Sequence, residues 1–147
     1  MSRQILFGAH RVVFEDPDLV TVDLRGYVGD EYAALMDTVV SWSLGRPYIL
    51  VLIPLGQTDG MSPLARKVLR APDPRMPPRA IATYGGGFAT RVGIDMLMRA
   101  TALLGPHRRL LFHGKDEAEA RAWLAGARDR LGRCVISSGD ELAPASA

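Results

Sequence analysis

A chain of 147 residues with 48% hydrophobic side chains has the material for one ordinary domain with a substantial core, and not for several domains. Its 18 basic residues nearly balance 16 acidic ones, which excludes the long-range field that nucleic-acid binders show. All but two of the basic residues, Lys67 and Lys115, are Arg. With abundant Ala, Gly and Pro, that skew reflects GC-rich codons rather than a phosphate-binding surface, because no basic cluster carries interleaved aromatics.

Cys134 is alone, so no intrachain disulfide can form, and no His-Asn context marks it as a nucleophile. His10, His107 and His113 are widely separated, with no Cys or carboxylate at ligand spacing, so neither a metal nor another cofactor is expected. The first residues, MSRQILFGAH, lack the pattern of a signal peptide, and no run approaches a transmembrane span. The expectation is a soluble, cytoplasmic protein with no membrane insertion and no nucleic-acid partner.

In chain order, Gln4 to Phe14 predicts a strand with a break or bulge at Gly8. A turn at Glu15 to Asp18 leads to LVTVDLRG. There the period of two predicts a strand with one buried face, and the two segments make an antiparallel hairpin. Asp30 and Glu31 suit the positive end of a first helix that stops at Gly45. Tyr32, Leu35, Met36, Val39 and Val40 form its apolar stripe, with Trp42 slightly off it.

Tyr48 to Ile53 is a short run of apolar residues, which predicts a central strand buried on both faces. It ends at Pro54 and passes through a polar loop. A helix restarts at Ser62 and Pro63, a capping residue followed by the residue favoured at the first helical position. The carboxyl end of such a strand is where α/β proteins place function.

The Pro-rich stretch APDPRMPPR then leads to the buried strand RAIATY. Gly85, Gly86 and Gly87 follow, ahead of a helical pattern from Phe88 to Leu104. Strand, glycines and helix outline an anion cradle, with Arg91 as a further contact. The same glycines are also what a tight strand-to-helix turn needs. The apolar stripe of this helix is wider than one sheet contact requires, so Phe88, Met96 and Met98 are candidates for a partner or ligand face. RLLFH predicts a last strand, and Asp116 opens a final helix whose core face is Ala120, Trp123, Leu124, Ala127 and Leu131. One domain over residues 1–134 is expected, followed by a Ser-, Gly-, Pro- and Ala-rich tail over 135–147 that frays.

The resulting ββαβαβαβα order predicts an α/β fold, a mixed sheet with helices packed on it. With the segments FGAHRVVFEDPDLVTVDLRG, MSPLARKVLRA, RAIATYGGGFATR and FHGKDEAEARAWL, it resembles the STAS domains of bacterial anti-sigma-factor antagonists and uncharacterised STAS/SEC14-like proteins. The STAS resemblance implies a non-enzymatic interaction module, with a protein partner or homodimer. It also implies a switch by phosphorylation at the start of the helix after the central strand. The matching residue is Ser62, with Thr58 as second candidate, and Asp59 stands three positions before Ser62 rather than next to it. A plain capping role for Ser62 stands beside that reading. The SEC14 side of the resemblance implies instead a lipid or other apolar ligand beside the Phe88 to Leu104 helix. An enzyme ranks third, since Asp23, Asp59, Asp95 and His113 fall on separate elements and no catalytic residue can be named.

Overall fold

The structure, a computed structural model, describes residues 2–71, 73–87, 96 and 109–145, with side chains as far as residue 132 except at Gln57. Eight strands and three helices occur among the described residues. They are β1 (Ser2–Phe7), β2 (His10–Glu15), β3 (Leu19–Asp23), β4 (Arg25–Val28), α1 (Glu31–Ser43), β5 (Ile49–Pro54), β6 (Gln57–Met61), α2 (Pro63–Arg70), β7 (Arg79–Tyr84), β8 (Arg109–Gly114) and α3 (Glu117–Ala145). Six strands form one mixed sheet in the order β1-β2-β3-β5-β7-β8, while β4 and β6 form a separate parallel pair. β1, β2 and β3 are antiparallel neighbours, and β3, β5, β7 and β8 run parallel. The α/β class and the mixed sheet expected from the sequence are both present.

β5 occupies the middle of the sheet because each of its faces has apolar residues to bury. Ile49 and Val51 join Val12, Phe14, Val20 and Val22 under Tyr32, Leu35 and Val39 of α1 and Ala65 of α2. Leu50 and Leu52 point the other way, joining Leu19, Ala80 and Ala82 against Ala120, Leu124, Ala127 and Leu131 of α3. The period of two thus divides one strand between two cores. Trp123, the remaining member of the apolar face expected for the final helix, stacks on Phe112 with ring centroids 5.1 Å apart.

Two expectations are corrected. The break at Gly8 is a complete reversal, and residues 4–14 are two strands of a three-stranded meander rather than one bulged strand. Gly8 supplies the left-handed turn with φ 61°. The polar loop before Ser62 contains β6, paired with β4 through a register shift at Gly26/Tyr27. The backbone of α3 continues over residues 135–145, within the stretch expected as a tail. The helix expected over Phe88 to Leu104 lies outside the described residues, Met96 apart. No described helix is long and apolar enough to cross a membrane.

The starts of α1 and α3 are treated differently. In α1 the residue at the cap, Asp30, makes no side-chain bond to the helix, and the Glu31 carboxylate instead accepts from Gly29 N–H at 3.0 Å. Asp116 accepts from Glu119 N–H at 2.9 Å and opens α3. Within α3, Arg128 binds Asp18 through two nitrogens, at 2.6 and 2.9 Å, and the Tyr48 hydroxyl donates to the same carboxylate at 2.9 Å. This cluster lies at the amino end of β3, remote from the strand ends that carry the candidate site.

Candidate functional site

The carboxyl end of β5 turns at Pro54 and Leu55, where Leu55 N–H donates to the Tyr84 carbonyl at 2.9 Å and ties the loop to β7. The loop then runs as β6 beside β4. The parallel register matches Tyr27 to Gly60 and Val28 to Met61, and the Ser62 N–H donates to the Val28 carbonyl at 2.8 Å. The β4–β6 pair is thereby joined to the head of α2.

Ser62 is the hinge of this arrangement. Its backbone is extended, with φ −70° and ψ 160°, and its Oγ accepts from Ala65 N–H at 3.1 Å with Pro63 next in line. The residue is only 5% exposed. The capping role read from the sequence is therefore present, and a modifying enzyme reaches the hydroxyl only if the junction of β6 and α2 opens. A phosphate there would sit at the positive end of the helix dipole, which favours it, yet would also need space that the buried cap does not provide.

The residues around the cap are more open. Thr58 is half-buried, and its hydroxyl donates to the Leu55 carbonyl at 2.9 Å. Asp59 is exposed. Tyr27 is 58% exposed and lies over Gly60, while Leu64, in the first turn of α2, is 40% exposed. Neither Tyr27 nor Leu64 stood out in the sequence. Tyr27 follows the glycine that closes the alternating run, and its partner strand carries no strand-like pattern.

Gly85 and Gly86 have φ of 79° and 84°, left-handed values that other residues adopt at a cost. A side chain at Gly85 would also meet Gly56 N at 3.2 Å, so the turn after β7 packs directly on the loop after β5. That close approach accounts for Gly85 without a ligand. Gly85→Ala is expected to cost about 2 kcal/mol in urea unfolding. Gly87→Ala should stay within about 0.5 kcal/mol of wild type, since nothing lies within 4 Å of its added carbon. Equal losses at both positions would defeat this account. Arg91, Phe88 and Met98 lie outside the described residues, and Met96 is 66% exposed.

Among the described residues, those considered for catalysis fall on separate strands. Asp23 ends β3 in ion pairs with Arg11 at 3.1 Å and Arg25 at 3.2 Å. The His113 ring on β8 contacts the Thr83 hydroxyl at 2.7 Å, Asp59 is on β6, and Asp95 lies outside the described residues. The described residues contain no group of three or more His, Cys, Asp or Glu able to hold a metal ion.

His10 is the polar residue whose surroundings the sequence did not disclose. It is 1% exposed, takes the Arg25 N–H on Nδ1 at 3.0 Å, and meets Glu31 Oε1 through Nε2 at 2.9 Å. Its parity with Val12 and Phe14 in HRVVFE was the available signal that it faces the core.

No protein-family model matches this chain, and no curated protein matches it. Among solved structures it is similar to an uncharacterised protein of the DUF3478 family from Shewanella loihica PV-4, described as having a SpoIIAA-like fold. The TM-score is 0.55 at 18% identity, over 84% of this chain and 95% of that one. The shared property is the fold: a SpoIIAA-like, STAS-type arrangement of sheet and helices.

Proposed function

We propose that this chain is a non-enzymatic regulatory module that docks a protein partner on the face made by the β4–β6 pair and the head of α2. Contact is switched at Ser62. The observation that carries the reading is the pairing of a buried, capping Ser62 with exposed apolar side chains beside it. Tyr27 lies on the strand bonded to β6, and Leu64 on the turn that Ser62 caps. A large aromatic left in water next to a helix start is the kind of anchor that interfaces use.

Two roles for Ser62 separate in experiment. As a cap alone, Ser62→Ala costs about 1 kcal/mol and Ser62→Asp is close to neutral, because a carboxylate also caps and suits the dipole. As a switch, Ser62→Asp keeps the fold and weakens the partner contact, since a charge entering an interface without a counter-charge is desolvated unpaired. The measurement is partner capture by wild type, Ser62→Ala, Ser62→Asp and Tyr27→Ala, with melting curves for each. Loss of capture by Ser62→Asp and Tyr27→Ala at unchanged stability is expected. Identical capture by all four proteins rejects the reading, and light scattering shows whether the captured partner is a second copy.

A further inference from the structure

His10 is enclosed at the start of β2, and both of its ring nitrogens are committed. The Arg25 N–H donates to Nδ1, so Nδ1 carries no proton, and the ring is the neutral tautomer whose proton sits on Nε2 and is donated to Glu31 Oε1. The same carboxylate oxygen accepts from Gly29 N–H. One imidazole therefore ties three elements together: β2, the first residue of β4, and the amino end of α1. We propose that this tie is a proton-operated latch, in which protonation of His10 releases β4 and loosens the β4–β6 pair that leads to Ser62.

The argument is one of donors and acceptors. A proton added at Nδ1 turns the acceptor of the Arg25 amide into a donor, and two donors then face each other about 3 Å apart inside the core. The Glu31 contact survives the change, because a carboxylate accepts from an imidazolium as readily as from an imidazole. The ring thus holds α1 in both states and β4 in only one. Arg25 begins β4, β4 pairs with β6 from Arg25↔Gln57 to Val28↔Met61, and the pair ends at the Ser62 N–H bond to Val28. Release at Arg25 acts on the end of β4 opposite to that last bond.

Charged groups stand on the elements packed against the ring. From α1 come Glu31 and the neighbouring Asp30. The Glu31 carboxyl is held below its usual range, first by the N–H bonds of its own backbone and of Gly29, and then by His10. It remains ionised while an imidazole titrates. Its contribution to stability is fully present above the ordinary carboxylate range and is lost only as pH falls through its lowered value, so it adds no transition near neutrality. From β4 the Arg25 guanidinium is engaged by Asp23, as is Arg11 next along β2, so both cations are paired with a carboxylate. On β1 the residue in register with His10 is Phe7, which carries no charge.

The test is amide hydrogen exchange, corrected for the intrinsic effect of pH, at about pH 7.5 and about pH 5.5, the span over which imidazoles titrate. In the wild type the protection of the Arg25 and Ser62 amides is expected to fall by about tenfold, the weight of one buried hydrogen bond. In His10→Gln the fall should vanish, because a carboxamide can accept from Arg25 and donate to Glu31 at either pH. Unchanged protection at Arg25 in the wild type, or the same fall in His10→Gln, overturns the latch. A fall confined to Arg25 overturns its transmission to Ser62. Should His10→Gln not fold, the ring nitrogens of the wild type are followed by NMR, and a protonated Nδ1 with the Arg25 amide still protected also overturns it. The consequence for docking rests on the function proposed above. Exchange reports the latch whether or not a partner binds.

Discussion

Replacing Arg128 by Ala is expected to lower the free energy of unfolding by about 3 kcal/mol, read from urea midpoints. Asp18 is buried, and its carboxylate is held by two nitrogens of Arg128 and the hydroxyl of Tyr48. Without the guanidinium the carboxylate keeps, of these bonds, only that from Tyr48 in a buried position. Breaking a buried pair from one side strands the other charge, which is why the loss exceeds that for a surface pair. The partly exposed position of Arg128 puts the effect at the lower end for such pairs. Because Asp18 precedes β3 and Arg128 belongs to α3, the pair also fixes the last helix to the far end of the sheet. A change below about 0.5 kcal/mol would mean that Asp18 is solvated, against its burial here.

Leu52→Ala should cost a similar amount, about 3 kcal/mol, for a different reason. Leu52 is fully buried on the α3 side of β5 with Leu50, Ala80, Ala82 and Leu124. Two of these neighbours are alanines on a paired strand, which cannot move inward to fill the space. The lost contacts therefore persist as a cavity. Leu64→Ala is the internal control. With 40% of Leu64 in water, its removal should cost well under about 1 kcal/mol, and any loss of partner capture then belongs to the surface. Equal destabilisation by the two substitutions would contradict the burial of β5.

The central strand was legible because Tyr48 to Ile53 is apolar at both parities, a pattern only a doubly covered strand needs. The Ser62-Pro63 pair likewise located the head of α2 to the residue, since cap chemistry is local. What the sequence did not disclose depends on partners distant in the chain. β6 reads as Gln-Thr-Asp-Gly-Met, with nothing strand-like in it, and becomes a strand because β4 supplies its hydrogen bonds. The exposure of Tyr27 follows from the same pairing. Gly8 marks a break in the sequence, but whether a glycine bends a strand or reverses it depends on the register of Ser2–Phe7 against His10–Glu15. The environment of His10 is hidden in the sequence because its partners, Arg25 and Glu31, are 15 and 21 residues away.

The sheet order carries a consequence for the path by which the molecule assembles. β1, β2 and β3 are joined by tight reversals, so their hydrogen bonds close short loops, whereas β5 reaches β3 only across α1 and β8 reaches β7 only across residues 85–108. Closing the longer loops costs more chain entropy before any contact repays it. The meander is therefore expected to gain protection first on refolding, with β5 arriving later although it is the most enclosed strand at equilibrium. The most protected element and the earliest one are different parts of this chain. Until β5 docks, the apolar faces of Val20 and Val22 on β3 stand beside an open strand edge, which makes that interval the one in which the chain is most exposed to association with other copies of itself.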